Sequence, residues 1–184
     1  MDPSELRVGK AAMTKDKVTD YRGDKMHTFR FATEEDVGLI LEFIRDLAEY
    51  EKMSDQVVAT EALLHEWIFE KRKAEVLFIC EGGKAVGFAL FIHNFSTFLG
   101  RAGIYLEDLF VRPEYRDRGY GKALLEKLAQ ITVERGCGRL EWACLDWNRP
   151  SIGFYLSLGA ARMDDWTTYR LTGETLMRMA EAKT

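Results

Sequence analysis

The chain has 184 residues, of which 47% are hydrophobic and 30% are charged, and its formal net charge is −4 at pH 7. This composition is typical of a globular protein with one core, and the negative charge gives no electrostatic support to a nucleic-acid partner. No segment approaches the ~18 consecutive apolar residues of a membrane span. The three cysteines lack metal-ligand spacing, so we expect reduced thiols in a cytoplasmic protein without a bound metal.

The start of the chain is set apart by its composition. Residues 1–26 are polar and mixed in charge, and they lack the apolar stretch of a secretory signal. We expect a disordered extension, an expression remnant or a misplaced start for which Met26 is the alternative first residue. The remaining residues, 27–184, are predicted to form a single domain.

Hydrophobic periodicity predicts an antiparallel arrangement in the first half of the chain. Residues 27–32 alternate like a short strand, and Thr33 is the expected N-cap of a helix that ends at Tyr50-Glu51. Two strands over 76–92 then form a hairpin with a glycine turn. Between the first helix and this hairpin, a second helix is expected from Thr60, with these residues facing inward: Leu63, Leu64, Trp67 and Ile68.

The second half of the chain alternates strands and helices. A strand over 102–111 and a helix over 120–135 are followed by a strand over 139–145. Another helix begins at Asn148, and a hairpin-like region over 160–171 leads into a short C-terminal helix. Glycines mark the expected ends of the two longer helices: Gly136 and Gly159.

A glycine-containing loop, Arg116-Asp117-Arg118-Gly119-Tyr120-Gly121, separates the strand over 102–111 from the helix that follows. Free N–H groups there lie at the positive end of a helix dipole and suit a pyrophosphate, whereas a plain turn is the simpler alternative. Arg116 and Ala123 exclude the Walker pattern, and Leu124 excludes the dinucleotide fingerprint. Positive charge around the loop comes from four side chains: Arg112, Arg116, Arg118 and Lys122.

Four segments, in order along the chain, resemble the spermidine/spermine (diamine) and thialysine acetyltransferase branch of the GNAT superfamily. They are Tyr50-Glu51, residues 105–111, residues 115–121 with the Arg-x-x-Gly-x-Gly pattern, and residues 147–155. The resemblance extends from Phe29 to Ala180. It implies an α/β (α+β) fold with a mixed, mostly antiparallel central sheet that is flanked by helices. It also implies that this sheet splays between the strands at about 102–111 and 139–145.

The resemblance implies an enzyme that moves an acetyl group from acetyl-coenzyme A to a primary amine, by direct attack in a ternary complex. The substrate would be small and cationic, such as a polyamine, a diamine or a thialysine-like amine. A homodimer is also implied. Two alternatives remain: acetylation of a protein lysine or N-terminus, and a non-catalytic acyl-coenzyme A-binding module.

The same resemblance assigns residues to the coenzyme. Main-chain groups of Leu109, Phe110 and Val111 would pair with the pantetheine arm like an added strand, and an N–H near Leu109 would stabilise the oxyanion. The pyrophosphate would lie on the backbone of the loop: Asp117, Arg118, Gly119, Tyr120, Gly121 and Lys122. Further contacts would come from the last matching segment: Asn148, Ser151 and Tyr155.

Proton transfer is assigned to Tyr155 and Glu107. Tyr155 would protonate the departing thiolate, since a phenol is neutral near pH 7, and core packing beside Phe154 is the alternative. Glu107 interrupts an apolar strand, so we expect it to serve as general base through water or as an amine anchor, unless it pairs with an arginine. Period two places Asp108 on the opposite face, where a salt bridge is expected.

Substrate contacts are implied for four residues: Tyr50, Glu51, Glu107 and Trp142. A surface position for Glu51 and a core position for Trp142 are the alternatives. The chain departs from the polyamine-specific members near Thr167, where they carry a glutamate that binds the distal amine. Either Asp164 or Asp165 replaces that glutamate, or the distal cation is not recognised, and smaller amines are then at least as good candidates.

Overall fold

The structure is a computed structural model that describes residues 27–181. These residues fall into two compact units, 27–143 and 144–181, and each is described by itself. The extension expected over residues 1–26 lies outside the described residues. The single domain over 27–184 stays a prediction.

The first unit is built on a five-stranded sheet in the order β1-β2-β3-β4-β5. Neighbouring strands are antiparallel except β4 and β5, which are parallel. This arrangement confirms the predicted mixed, mostly antiparallel sheet. The strands are β1 (His27–Phe31), β2 (Glu75–Glu81), β3 (Lys84–Ser96), β4 (Arg101–Val111) and β5 (Leu140–Trp142).

The helices of the first unit are α1 (Val37–Tyr50), α2 (Glu61–Leu64) and α3 (Tyr120–Glu134), and α2 continues into a π-helical turn, His65–Glu70. Short 3-10 turns lie at Glu34–Asp36, Ser54–Gln56 and Pro113–Tyr115. The inward set predicted after Thr60 was partly wrong. Ile68 is buried and Leu64 packs against the core, but Leu63 and Trp67 are 45% and 47% exposed. Trp67 lies in the π-helical turn, which changes the angular spacing of the side chains.

The two long helices cover opposite faces of the sheet. Phe43 of α1 stacks on Phe88 of β3, with 5.1 Å between ring centroids, and both belong to a buried cluster. Arg135, which follows α3, lies over the ring of Phe91. Since Phe88 and Phe91 are an odd number of positions apart on β3, α1 and α3 lie on different faces.

The sheet opens between β4 and β5. The two strands pair only at Ile104–Leu140, Tyr105–Glu141 and Leu106–Trp142, so the strand predicted over 139–145 is shorter than expected. Beyond Leu106, β4 continues to Val111 with no strand beside it on that side within residues 27–143. The predicted splay between these strands is confirmed.

The second unit contains α4 (Arg149–Ser157) and α5 (Gly173–Glu181). The hairpin expected over 160–171 was wrong: none of these residues belongs to a strand, and residues 161–181 are exposed throughout. An alternating pattern forms a strand only where another strand pairs with it. No helix within residues 27–181 is long and apolar enough to cross a membrane.

Candidate active site

The loop after β4 has the backbone of an anion-binding site. Asp117 (φ 60°) and Gly119 (φ 81°) adopt the left-handed conformation, and Gly119 is the N-cap of α3. Such turns direct successive N–H groups to one side, and the helix dipole adds positive potential there. The first four N–H groups of an α-helix also have no acceptor within it. These features fit the pyrophosphate role expected for this loop.

The charged side chains of the loop are mostly neutralised. Arg118 donates to Glu81 Oε2 at 3.2 Å and to the carbonyl of Glu114 at 2.8 Å. Lys122 Nζ lies 3.6 Å from Glu126 Oε1, one helical turn away. Arg118 and Lys122 therefore lie at the loop as predicted, each with a carboxylate partner.

The two remaining arginines differ in their partners. Arg112 donates to Glu42 Oε2 at 3.2 Å and to Asp46 Oδ2 at 3.1 Å, so its charge is also compensated. Arg116 donates through Nε to the carbonyl of Val111 at 3.0 Å. Within residues 27–181, Arg116 has no carboxylate within ion-pair distance.

Tyr120 follows Gly119 and is the first residue of α3. Its side chain is 2% exposed, and its ring lies edge-on to His27 with 5.8 Å between centroids. Burial and the neighbouring Glu81 raise the pKa of the Tyr120 hydroxyl above its ordinary value. The side chain thus anchors the start of α3 against the sheet.

The end of β4 offers main-chain groups on its open side. The N–H of Arg112 donates to the carbonyl of Val86 on β3 at 3.0 Å. Because these groups alternate along an antiparallel strand, those of Phe110 face β3, whereas those of Leu109 and Val111 face the side where β5 has ended. Leu109 and the N–H of Val111 therefore have the orientation that an added strand requires, whereas the carbonyl of Val111 already accepts from Arg116 Nε.

A β-bulge interrupts β4 at Glu107. Asp108 pairs with Leu90 of β3, but the next pair is Leu106 with Phe91, so Glu107 has no partner residue. Directly opposite residues share a face, and Leu90 packs on the α1 side. Asp108 therefore faces α1 and Leu106 faces α3. The period-two rule, which would separate Glu107 from Asp108, does not hold here.

Asp108 is part of an acidic group with Glu51 and Glu107. Burial, followed by the charges of Glu107 and Glu51, raises the pKa of Asp108 to about 6. Burial also raises the pKa of Glu51 above its ordinary value. Within residues 27–181, the side chain of Asp108 makes no hydrogen bond or ion pair, so the salt bridge expected for it was wrong. We call Glu51, Glu107 and Asp108 the acidic group.

Tyr50 and Glu51 lie at the end of α1, as the sequence predicted, and Glu51 is the C-cap. The ring of Tyr50 is 6.4 Å from that of Phe110, centroid to centroid. On the side of β4 that faces away from β3, Trp142 is the last residue of β5 and pairs with Leu106. Tyr50, Glu51 and Trp142 are all partly buried. Each therefore borders the region where β4 loses its neighbour.

The second unit contains the residues of the last matching segment. Asn148 is buried and caps α4, because its Oδ1 accepts from the N–H of Ser151 at 3.3 Å. Tyr155 lies in the second turn of α4, partly buried, with its ring 5.3 Å from that of Phe154. The N-cap predicted at Asn148 is confirmed.

The acidic residues near Thr167 are engaged or exposed. Asp164 Oδ1 accepts from Arg162 Nε at 2.9 Å, and both side chains are exposed. Asp165 and Thr167 are exposed as well. Asp164 is therefore committed to a local ion pair, which weakens its case as a substitute for the glutamate of the polyamine-specific members.

Comparisons with known proteins agree with this fold. Residues 40–160 match the Acetyltransferase (GNAT) family. The chain is 39% identical over 163 residues to thialysine N-epsilon-acetyltransferase of Bos taurus, covering 82% of this chain and 95% of that protein. It is 31% identical over 205 residues to L-ornithine N5-acetyltransferase NATA1 of Arabidopsis thaliana, covering 86% and 90%. An integron cassette protein of V.cholerae superposes with a TM-score of 0.72 at 27% identity, over 85% of this chain and 98% of that one.

The splayed sheet and the family match together define an enzyme that transfers acetyl groups to amines. The chain belongs to the GNAT acetyltransferase family, and its relatives place it in the thialysine and spermidine/spermine branch. Acetyl-coenzyme A is the co-substrate that this family implies.

Proposed function

We propose that the protein acetylates the primary amine of a small, cationic substrate. The observation that carries the proposal is the acidic group, in which the partly buried Asp108 has no cationic partner within the described residues and is flanked by Glu51 and Glu107. Carboxylates that repel one another in a partly buried position are stabilised by a bound cation. Thialysine and L-ornithine, which two relatives acetylate, both carry such an amine.

The residues that would hold the co-substrate have suitable chemistry. The backbone of 117–122 presents N–H groups to a pyrophosphate, and Leu109 and Val111 present main-chain groups to the pantetheine arm. Asn148 and Ser151 of the second unit are proposed as further contacts. Acetyl-coenzyme A supplies the activated acetyl thioester. An N–H near Leu109 would stabilise negative charge on the carbonyl oxygen under attack.

Proton transfers are assigned to side chains of this chain. Asp108 and Glu51 hold the substrate ammonium, beside Tyr50 and Trp142, and Glu107 takes one of its protons through a water molecule. The free amine then forms the N–C bond while the C–S bond breaks, and the new amide nitrogen releases its second proton to water. Tyr155 donates its phenolic proton to the leaving sulfur and recovers a proton from solvent.

The size of the substrate is limited by the region around Thr167. Polyamine-specific members use a glutamate there for a distal amine, and this chain has Thr167 with Asp164 paired to Arg162. We therefore favour an amine of the size of lysine, thialysine or ornithine over spermidine or spermine. The homodimer, the cytoplasmic location and the absence of a metal stay predictions from the sequence.

The test is thiol release from acetyl-coenzyme A over a panel of acceptors. The panel contains thialysine, lysine, ornithine, putrescine, spermidine, a monoamine and a lysine-containing peptide. We expect turnover with the amino-acid amines and less with spermidine. Acetylation of the peptide alone would replace this proposal with a protein substrate, and binding of the coenzyme without any turnover would indicate a non-catalytic module.

A further inference from the structure

Arg116, the first residue of the Arg-x-x-Gly-x-Gly pattern, contacts Tyr50, Phe110 and Val111 through its side chain. We propose that Arg116 is a positioning residue for the amine site, acting through Tyr50, rather than a ligand of the coenzyme phosphates. The inference rests on the proposed function, because it concerns how the amine site of that reaction is held.

The contacts of Arg116 all lie toward the end of α1 and the end of β4. Its guanidinium carbon is 4.6 Å from the ring centroid of Tyr50 and 5.3 Å from that of Phe110. Its Nε donates to the carbonyl of Val111 at 3.0 Å. The guanidinium therefore joins the last residue of α1 to the last two residues of β4.

The arrangement depends on the shape of the guanidinium as well as on its charge. A planar guanidinium stacks on an aromatic face and donates in its own plane at the same time, which a lysine ammonium does not do. Arg116 is half-buried, whereas Asp117, Arg118 and Gly119, which follow it, are exposed. The side chain of Arg116 is thus less accessible to a ligand of the loop than the residues that follow it.

The consequence concerns the acidic group. Tyr50 directly precedes Glu51, and Phe110 lies two residues after Asp108 on the same face of β4. Loss of the stacking on Tyr50 and Phe110 would loosen the end of α1 against β4, and with it the spacing of Glu51 and Asp108. The binding of the amine should suffer, while the backbone that holds the pyrophosphate stays in place.

The test compares Arg116→Gln and Arg116→Lys with the unchanged enzyme. We expect both variants to raise the KM for the amine by roughly three- to thirtyfold, the range of a partly desolvated cation–π contact, with the Kd for coenzyme A by calorimetry little changed. A phosphate ligand would behave differently, since Lys would keep much of the coenzyme affinity and Gln would lose it. That second pattern would overturn the inference.

A double-mutant cycle separates positioning from general destabilisation. If Arg116 acts through Tyr50, adding Arg116→Gln to Tyr50→Ala should raise the KM for the amine much less than it does alone. Fully additive effects would overturn the inference. Arg45→Gln, which changes an exposed arginine of α1, is the matched control and should leave both constants unchanged.

The outcomes also distinguish this inference from the proposed function. An unchanged enzyme that acetylates no small amine would contradict the proposed function itself. An active enzyme whose Arg116 variants bind coenzyme A weakly and the amine normally would contradict only the role of Arg116. Tm measured on each variant shows whether the fold is retained.

Discussion

Leu106 and Asp108 lie two residues apart on one strand, yet they face opposite sides of the sheet. Leu106 pairs with Phe91 and Asp108 with Leu90, which are adjacent on β3, because Glu107 is the extra residue of a β-bulge. Without the bulge, Asp108 would share the α3 face with Leu106. The bulge therefore turns a carboxylate toward the end of α1, where Glu51 lies.

Asp108 should reduce the stability of the fold. Its pKa of about 6 lies above the ordinary 3.8, so the folded state binds its proton more tightly than the unfolded state does. The protonated carboxyl of Asp108 contributes its full stabilisation below about pH 4, and this contribution is lost as the pH rises through about 6. At about 1.4 kcal/mol per tenfold change in acidity, the ionised form costs at most roughly 3 kcal/mol.

We expect Asp108→Asn to raise the Tm at pH 7 and to flatten the dependence of Tm on pH between about 4 and 6. The gain should be about 1–2 kcal/mol, since a buried amide without a partner offsets part of it. Thermal unfolding across this pH range is the measurement. Asp55→Asn, at an exposed aspartate, is the control, and an equal gain there would refute the explanation.

Ionisation of Asp108 should lower the stability of the fold but raise the activity on a cationic amine. As the pH falls through about 6, Asp108 becomes neutral and attracts the ammonium less, so kcat/KM for the amine should fall with one proton taken up. In Asp108→Asn this inflection should disappear and the KM should be raised at every pH. An unchanged acid limb in the variant would assign the titration to another group.

Gly119 should be needed for its backbone conformation rather than for lack of space. An added Cβ would meet nothing within 4 Å, but its φ of 81° is unfavourable for alanine by about 1–2 kcal/mol. We expect Gly119→Ala to lower the Tm and to weaken coenzyme binding measured by calorimetry. Gly153→Ala within α4 also has open space and should be neutral or slightly stabilising. If Gly119→Ala and Gly153→Ala changed the Tm and the coenzyme binding equally, the explanation from the backbone conformation of Gly119 would be wrong.

Tyr155→Phe removes the proposed proton donor and keeps the ring. We expect kcat to fall by about a hundredfold or more, the usual contribution of a general acid, with the Kd for coenzyme A retained. Tyr169→Phe, at a tyrosine that is 90% exposed, should leave kcat unchanged. Near-full turnover in Tyr155→Phe would exclude Tyr155 from the proton transfer.

Local signals explain which parts of the fold the sequence could predict. Gly136 and Gly159 were predicted as helix ends, and they follow α3 and α4 with φ of 66° and 85°. The N–H of Gly136 donates to Val133 and that of Gly159 to Leu156, as in Schellman caps. A left-handed residue after a helix is a property of a few neighbouring residues, so the pattern alone indicates it.

The features that the sequence did not show depend on distant residues. The bulge at Glu107 is defined by pairing with β3, and the partner of Arg118 is Glu81, which lies 37 residues away. Asp108 was expected in a salt bridge because a lone buried carboxylate is costly, and only the three-dimensional arrangement shows that within residues 27–181 it has none. In the sequence, the adjacent acidic residues Glu107 and Asp108 in an apolar strand were the signal that pointed to this group.

The most direct test of the account compares two acceptors of nearly equal size, n-pentylamine, which is cationic near neutral pH, and O-butylhydroxylamine, which is neutral there. Thiol release from acetyl-coenzyme A is measured for both acceptors with the unchanged enzyme and with Asp108→Asn. The account predicts that the substitution lowers kcat/KM for n-pentylamine by roughly tenfold or more, since hydrogen bonds to charged groups contribute about 1.5–3 kcal/mol, and changes kcat/KM for the neutral acceptor little. An equal loss with the two acceptors would contradict selection of a cationic substrate by the acidic group.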